Sequence, residues 1–426
     1  MDIEKLYAAF LETGKISTDS RSIAPGSIFF ALRGDRFNGN EFARSALERG
    51  AAYAVVDEAL ADGERMWVVD NVLEALQKLA RYHRDQLTIP IIGLTGSNGK
   101  TTTKELVAAV LKQKFNTYAT RGNLNNHIGV PLSILEIGIG TEVAVIEMGA
   151  NHLGEIASLC AIANPTHGFI TNIGKAHIGT FGGFENIVRA KSELYQHLID
   201  NNGTVFINSG NEILANMAKR FKNPVLYPGE NDYYHCTFIH ADPYVRLRAD
   251  GGEIVQTNLL GNYNFENIAV ALCIGKFFQV PPSLAHRAVT AYGANNMRSQ
   301  LIRKNSNVII LDAYNANPSS MKAAIENLAT MTGKEKVVIL GDMFELEEMA
   351  EEEHRNVGRL LEKYKFDKVY LCGKLMKAAH EIIPSATLFE DKEVLAAELS
   401  KKPPRHSLVL IKASRGMGLE TLVESI

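Results

Sequence analysis

The run Thr95-Gly96-Ser97-Asn98-Gly99-Lys100-Thr101-Thr102 gathers two glycines, an ammonium and several hydroxyls into one short segment. An apolar strand over residues 89–94 leads into it, and a helix follows with Leu106, Val107, Val110 and Leu111 at helical spacing. A loop between a strand end and a helix start aims backbone N–H groups, aided by the helix dipole, at an anion. Gly96 and Gly99 permit the tight turn and the close approach of a phosphate. Lys100 can reach the outer phosphates, and the Thr101 hydroxyl is placed to bind Mg²⁺. The strict phosphate-loop pattern asks for Gly where Leu94 stands. A fortuitous Gly-rich turn is the alternative, and the conjunction of strand, loop, Gly-Lys-Thr and helix argues against it. The segment implies nucleotide binding but does not name the reaction.

Further segments place polar groups beside apolar strands or helices. Glu147 ends the run Val-Ala-Val-Ile-Glu, where a carboxylate could hold Mg²⁺ beside the loop or face solvent. His177 follows another strand, as a metal ligand, a phosphate contact or a structural histidine. Lys191 lies inside a predicted helix, where an exposed amine is the default; an ammonium has only donors and cannot ligate a cation unless it becomes a carbamate. Asn264 and Asn267 precede an apolar helix, either as caps or as readers of an adenine edge.

These groups need a scaffold. Strand-like runs cover residues 27–32 and 51–57, then 143–149, 167–173 and 203–208, then 307–314, 335–342, 368–373 and 407–414. Residues 40–50 read as a helix ended by Gly50. Strand–helix alternation predicts α/β architecture with mostly parallel sheets and helices on both faces. At about 150 residues per domain, 426 residues suggest roughly three domains. We place them at 1–86, 87–298 and 299–426: a small α/β unit, a central phosphate-loop parallel-sheet unit and a Rossmann-like C-terminal α/β unit. The balance of 45 Lys and Arg against 48 Asp and Glu argues against a nucleic-acid partner. Four dispersed cysteines, without a C-x-x-C pair, point to buried free thiols in a reducing compartment. The early acids exclude a secretory signal, and no apolar run approaches a membrane span. A soluble cytoplasmic monomer is the expectation.

Together these segments resemble the Mur ligases of bacterial cell-wall synthesis, in the branch that adds D-alanyl-D-alanine to a UDP-muramoyl tripeptide. The loop, Glu147, His177, Lys191 and the Asn264–Asn267 segment are similar to features shared across that family and partly by folylpolyglutamate synthases. Thr18-Asp-Ser-Arg21 with the run at 26–32, Gly122-Asn-Leu-Asn-Asn126, Asp312-Ala-Tyr-Asn-Ala-Asn-Pro318, Gly341-Asp-Met343 with Glu345-Leu346, and Lys412-Ala-Ser-Arg415 resemble the branch. Departures stand at Asn38-Gly-Asn40, His127 and Glu347. The resemblance implies an N-terminal UDP-binding unit, ATP and Mg²⁺, and an acyl-phosphate route to an amide. It implies charge from Lys100 and Arg298, one Mg²⁺ on Thr101 and Glu147, and a second on His177 and carbamylated Lys191. It places Asn264 and Asn267 at the adenine and Asp312 at the ribose. Ser20, Arg21, Asn125 and Asn126 then contact the UDP-muramoyl-peptide, and Asn315, Asn317 and Arg415 the dipeptide. The alternatives are another amide ligase of the same fold and a non-catalytic, nucleotide-gated binding module.

Overall fold

The computed structural model describes residues 2–35, 37–58, 64–294, 297–333 and 335–426. The N-terminal unit is a four-stranded parallel sheet in the order Ile16–Ser17, Ile28–Phe30, Tyr53–Val56, Met66–Val68. Ile28, Phe29 and Phe30 are all buried, as expected for a strand covered on both faces. The segment expected as one helix is a 3₁₀ turn, Gly39–Phe42, then a short helix, Ala43–Glu48, with Gly50 at φ 103° beyond it. The helix Val72–Asp85 is capped by Asn71, whose side chain accepts from Glu74 N at 2.9 Å. Its Arg84 donates to Ala163 O and Asn164 O, each at 2.9 Å, and so fastens the unit to the central one.

The central sheet has six parallel strands in the order Val225–Tyr227, Thr204–Asn208, His167–Ile170, Ile91–Thr95, Val143–Glu147, Thr117–Ala119. The strand feeding the phosphate loop therefore lies between two strands that come later in the chain, and a crevice opens at their C-terminal ends. Two strands end earlier than expected: one stops at Glu147 and the other at Ile170. Sequence reading missed a three-stranded antiparallel sheet, Thr237–Ala241, Tyr244–Arg248 and Ile254–Leu260. Its apolar residues alternate: Val245, Leu247, Val255 and Leu259 are buried beside the helix Asn264–Phe277.

The C-terminal sheet runs Gln300–Lys304, Asn307–Asp312, Leu408–Lys412, Lys336–Gly341, Lys368–Cys372, Thr387–Phe389. All four expected strands are present. The unforeseen first strand pairs antiparallel with its neighbour, and the other pairings are parallel. An antiparallel edge on a parallel sheet is common in doubly wound folds. All four cysteines are buried and free. Among the described residues, no helix is long and apolar enough to cross a membrane.

Candidate active site

In the central sheet Leu94 pairs with Glu147 and Thr95 with Ile170, so the loop, the acid and the next strand's exit emerge side by side. Gly96 has φ 147°, and a Cβ there would strike Thr171 Oγ1 at 1.9 Å; Gly99 has φ 76°, with Asn267 Oδ1 at 2.8 Å from its notional Cβ. Residues 171–173, expected to continue the strand, instead pin the loop together with Gly174. Ser97 N donates to Asn172 O and Asn98 N to Asn172 Oδ1, both at 3.0 Å, while Ser97 Oγ donates to Gly174 O at 2.9 Å. Lys100 Nζ donates to Gly96 O at 2.7 Å. Burial pushes its amine below the usual range; Glu147 opposes this and Arg298 adds to it.

Glu147 is buried rather than solvent-facing. Its Oε1 accepts from Thr101 Oγ1 at 3.2 Å and Asn125 Nδ2 at 2.9 Å. Its Oε2 is buried and accepts no hydrogen bond among the described residues. A carboxylate oxygen left open beside a threonine hydroxyl fits a hard cation that keeps water and phosphate as its other ligands. Among the described residues, no three His, Cys, Asp or Glu side chains converge as a ready-made metal cage.

Lys191 overturns the default of an exposed helix amine. It lies on the buried face of Phe184–Asp200 with Ile187, Ala190, Leu194, Tyr195 and Leu198, and is 2% exposed. Its Nζ donates to Ala150 O at 3.4 Å and stands 5.3 Å from the Phe181 ring centre. Burial, then the Lys100 charge, pushes the amine down to about 7, with Glu155 and Glu193 opposing. His177 has a positive φ of 55°, and its Nδ1 lies 2.6 Å from Glu345 Oε2 of the C-terminal unit. That close approach of the imidazole holds the Glu345 carboxyl below the usual range.

Asn264 and Asn267 are buried against the loop. Asn267 Nδ2 donates to Asn264 Oδ1 at 2.8 Å, Asn264 Nδ2 to Leu260 O at 2.7 Å, and Thr103 Oγ1 to Asn267 Oδ1 at 2.9 Å. Their amides are engaged inside the protein, and the pair braces the loop helix. Asn126 Oδ1 accepts from Ile128 N at 3.1 Å and Gly129 N at 2.8 Å, at the entry to the helix Gly129–Leu135.

From the C-terminal unit, Asp312 Oδ2 meets Lys412 Nζ at 2.7 Å, and Lys412 also donates to Asn315 O at 3.0 Å. The Arg298 guanidinium lies 3.9 Å from the Tyr314 ring centre, and that of Arg415 lies 5.6 Å from it. A cavity of about 1510 Å³ joins the three units: Leu73 and Gln77, then Lys100, Glu147 and His177, then Asp312 and Asn317 are among its walls. Asn125, Asn126, Asn264, Asn267, Arg298 and Asn315 also line it, whereas Ser20, Arg21, Thr95, Gly96, Thr101, Lys191 and Arg415 do not. Arg21 is instead turned onto Asp19 at 2.7 Å in the exposed part of the N-terminal unit, and Ser20 O accepts from Arg49. Arg415 is exposed, with its guanidinium beside the Tyr314 ring, which lines the cavity, and donating to Met297 Sδ at 3.3 Å. Lys104, Glu345, Tyr314 and Lys412 were missed as site residues. The last three lie within motifs already noted, but nothing in local spacing shows their partners.

Three family models match consecutive parts of the chain: "Mur ligase family, catalytic domain" over residues 13–84, "Mur ligase middle domain" over 94–275, and "Mur ligase, glutamate ligase domain" over 297–415. The UDP-N-acetylmuramoyl-tripeptide--D-alanyl-D-alanine ligase of Bacillus subtilis (strain 168) is 35% identical over 424 residues, covering 96% of this chain and 92% of that protein. A crystal structure of MurF from Acinetobacter baumannii superposes with TM-score 0.88 at 32% identity, over 96% of this chain and 92% of that one. The MurF ligase from Thermotoga maritima in complex with ADP gives TM-score 0.86 at 28% identity, over 97% of each chain. With models matching along its length and a relative aligned over nearly all of both proteins, the chain belongs to the Mur ligase family.

Proposed function

We propose that this enzyme joins D-alanyl-D-alanine to a UDP-muramoyl tripeptide, driven by ATP, the activity carried in the name of its Bacillus subtilis relative. One observation carries the reading beyond that name. One cavity is lined by phosphate-loop residues 97–100, by Leu73 and Gln77 of the N-terminal unit and by Asp312, Asn315 and Asn317 of the C-terminal unit. That shape suits a long nucleotide-linked donor, ATP and a short acceptor meeting at one carboxyl carbon. We assign the three units to 1–86, 87–298 and 299–426, the protein to the cytoplasm, where UDP-linked precursors and ATP are held, and its working state to a monomer.

A carboxylate is a poor electrophile. Transfer of the γ-phosphoryl group to the tripeptide carboxylate gives an acyl phosphate and ADP. The dipeptide amine then attacks the carbonyl carbon, the C–N bond forms, and phosphate leaves with the C–O bond and its electron pair while the amine gives up a proton. Donor carboxylate and triphosphate are both anionic, so their approach needs positive charge, which Lys100 and Arg298 supply. Thr101 and Glu147 would hold Mg²⁺, which when bound would neutralise phosphate charge. His177 and Lys191 would hold a second ion once Lys191 has become a carbamate. A neutral amine adds CO₂ and loses a proton to give two acceptor oxygens, and an amine pushed down to about 7 is available in that form near neutral pH.

The test is phosphate release with UDP-muramoyl tripeptides ending in lysine or diaminopimelate, with and without D-alanyl-D-alanine. Release that requires both co-substrates is expected. Release with another amino-acid acceptor but not with the dipeptide would assign a different amide ligase of this fold, and nucleotide binding without turnover would assign a gated binding module.

A further inference from the structure

Lys104 lies one turn beyond Lys100 on the helix Lys100–Leu111, and the reaction above makes no use of it. Its side chain is 2% exposed and faces Glu147, itself 1% exposed. A buried ammonium is expensive unless something requires it, and an apolar residue of similar volume usually serves packing as well. The contacts here are specific. Lys104 Nζ donates to Gly122 O at 3.2 Å and stands 3.6 Å from Glu147 Oε2. The second distance is within ion-pair range but beyond a hydrogen bond. The hydrogen bonds from Thr101 and Asn125 both fall on Oε1. Oε2 is thus compensated in charge while its lone pairs stay open.

We infer that Lys104 is a positioning residue that supplies a standing counter-charge to Glu147 and so makes cation binding at Thr101 and Glu147 depend on nucleotide phosphate. The inference rests on the reading of those two residues as the Mg²⁺ holders. A divalent ion arriving alone meets a carboxylate already neighboured by Lys104, with Lys100 also acting on it. Attraction and repulsion largely offset each other. A polyphosphate in the loop adds the missing negative charge, and the ion then binds. The same ammonium holds Gly122 O, while Glu147 N donates to Thr120 Oγ1 at 3.0 Å and Asn125 donates to the carboxylate. The segment carrying Asn123 and Asn125, which line the cavity, is therefore fixed to the same acid.

Mn²⁺ serves as the probe, its free concentration read by electron paramagnetic resonance during titration with the full chain at mildly alkaline pH, with and without ADP. Wild type should bind bare Mn²⁺ weakly and bind it tightly with ADP. Lys104→Met should bind bare Mn²⁺ more tightly, on the order of tenfold or more for loss of a unit charge at this distance. Its dependence on ADP should shrink, and Lys104→Arg should restore the wild-type pattern. Equal bare-Mn²⁺ affinity in wild type and folded Lys104→Met overturns the inference. If the Met variant does not fold, Lys104→Gln, which keeps a donor for Gly122 O without the charge, must show the same gain, and no gain there overturns it. Ligation by wild type is measured alongside. Its absence counts against the proposed function, whereas normal ligation with unchanged Mn²⁺ binding counts against Lys104 alone.

Discussion

Asn317 Nδ2 donates to Asn98 Oδ1 at 2.8 Å, so the C-terminal unit touches the phosphate loop directly. The contact has company. Lys175 N donates to Ser319 Oγ at 2.9 Å, Lys175 Nζ meets Glu353 at 2.7 Å, and His177 meets Glu345. The chain exit that pins the loop is thereby the surface on which the C-terminal unit docks. In the proposed reaction the dipeptide amine must come within about 3–3.5 Å of the carboxyl carbon activated beside the loop, and a dipeptide held on the C-terminal unit would be brought there by this docking.

Asn317→Asp tests the docking contact. The Asn317 side chain also caps the helix Pro318–Thr330 by accepting from Ser320 N at 2.9 Å, and an aspartate keeps that cap while losing the donor to Asn98. The melting temperature should stay close to wild type, and turnover should fall about tenfold, the worth of one net hydrogen bond at the upper end of its range. Asn317→Ala should in addition lose about 1 kcal/mol of stability with the cap. Wild-type turnover in Asn317→Asp would show that the contact does not matter to the reaction.

Lys100→Ala should fold normally and lose ligation by on the order of 10²-fold or more, the usual cost of removing a charge that the transition state uses. Thermal unfolding checks the fold and phosphate release checks the rate. Near-normal turnover at saturating ATP would remove Lys100 from the reaction.

Lys191 carries a pH signature. Its amine sits at about 7 in the folded chain and near its ordinary 10.5 in the unfolded chain. Between those values the unfolded state binds more protons, so this group's contribution to stability rises with pH; below about 7 the full cost of burying a charge applies. In CO₂-free buffer the stability advantage of Lys191→Met over wild type should therefore be greatest at pH 7 and below and should close as pH rises. Denaturant midpoints across pH would measure it, and a pH-independent difference would contradict the buried amine. Lys191→Ala should be nearly inactive, with partial recovery on adding a short carboxylate.

Tyr314 should act through Arg298, whose guanidinium stands 3.9 Å from its ring centre. A cation–π contact is worth about 0.5–2 kcal/mol, so Tyr314→Leu should lower kcat/KM for ATP by roughly 2–30-fold. Tyr314→Phe keeps the ring and should stay within about twofold of wild type. Equal losses in the two variants would place the effect on the hydroxyl instead.

The parts of the site readable from local pattern were those where one segment carries its own partners. The phosphate loop is such a case, because strand, glycines, lysine and helix are consecutive. Lys191 was misread by residue type, although the stripe of Ile187, Ala190, Leu194, Tyr195 and Leu198 around it marks its position as a buried one. Lys104 and Glu147, or His177 and Glu345, meet only through tertiary packing, so no spacing in the chain announces them. The antiparallel sheet at 237–260 was passed over because its alternating, half-exposed strands lack the continuous apolar runs that marked the parallel ones.

The cavity's three-sided construction also bears on how the molecule comes apart. A ligand that fills it touches walls from every unit, so it is bound fully only while all three stand together. The stabilisation it confers is then shared as coupling between neighbours and grows with the logarithm of ligand concentration. Any tendency of the empty chain to melt piece by piece is drawn toward one concerted transition when the cavity is full, and the sharpness of melting becomes a gauge of occupancy.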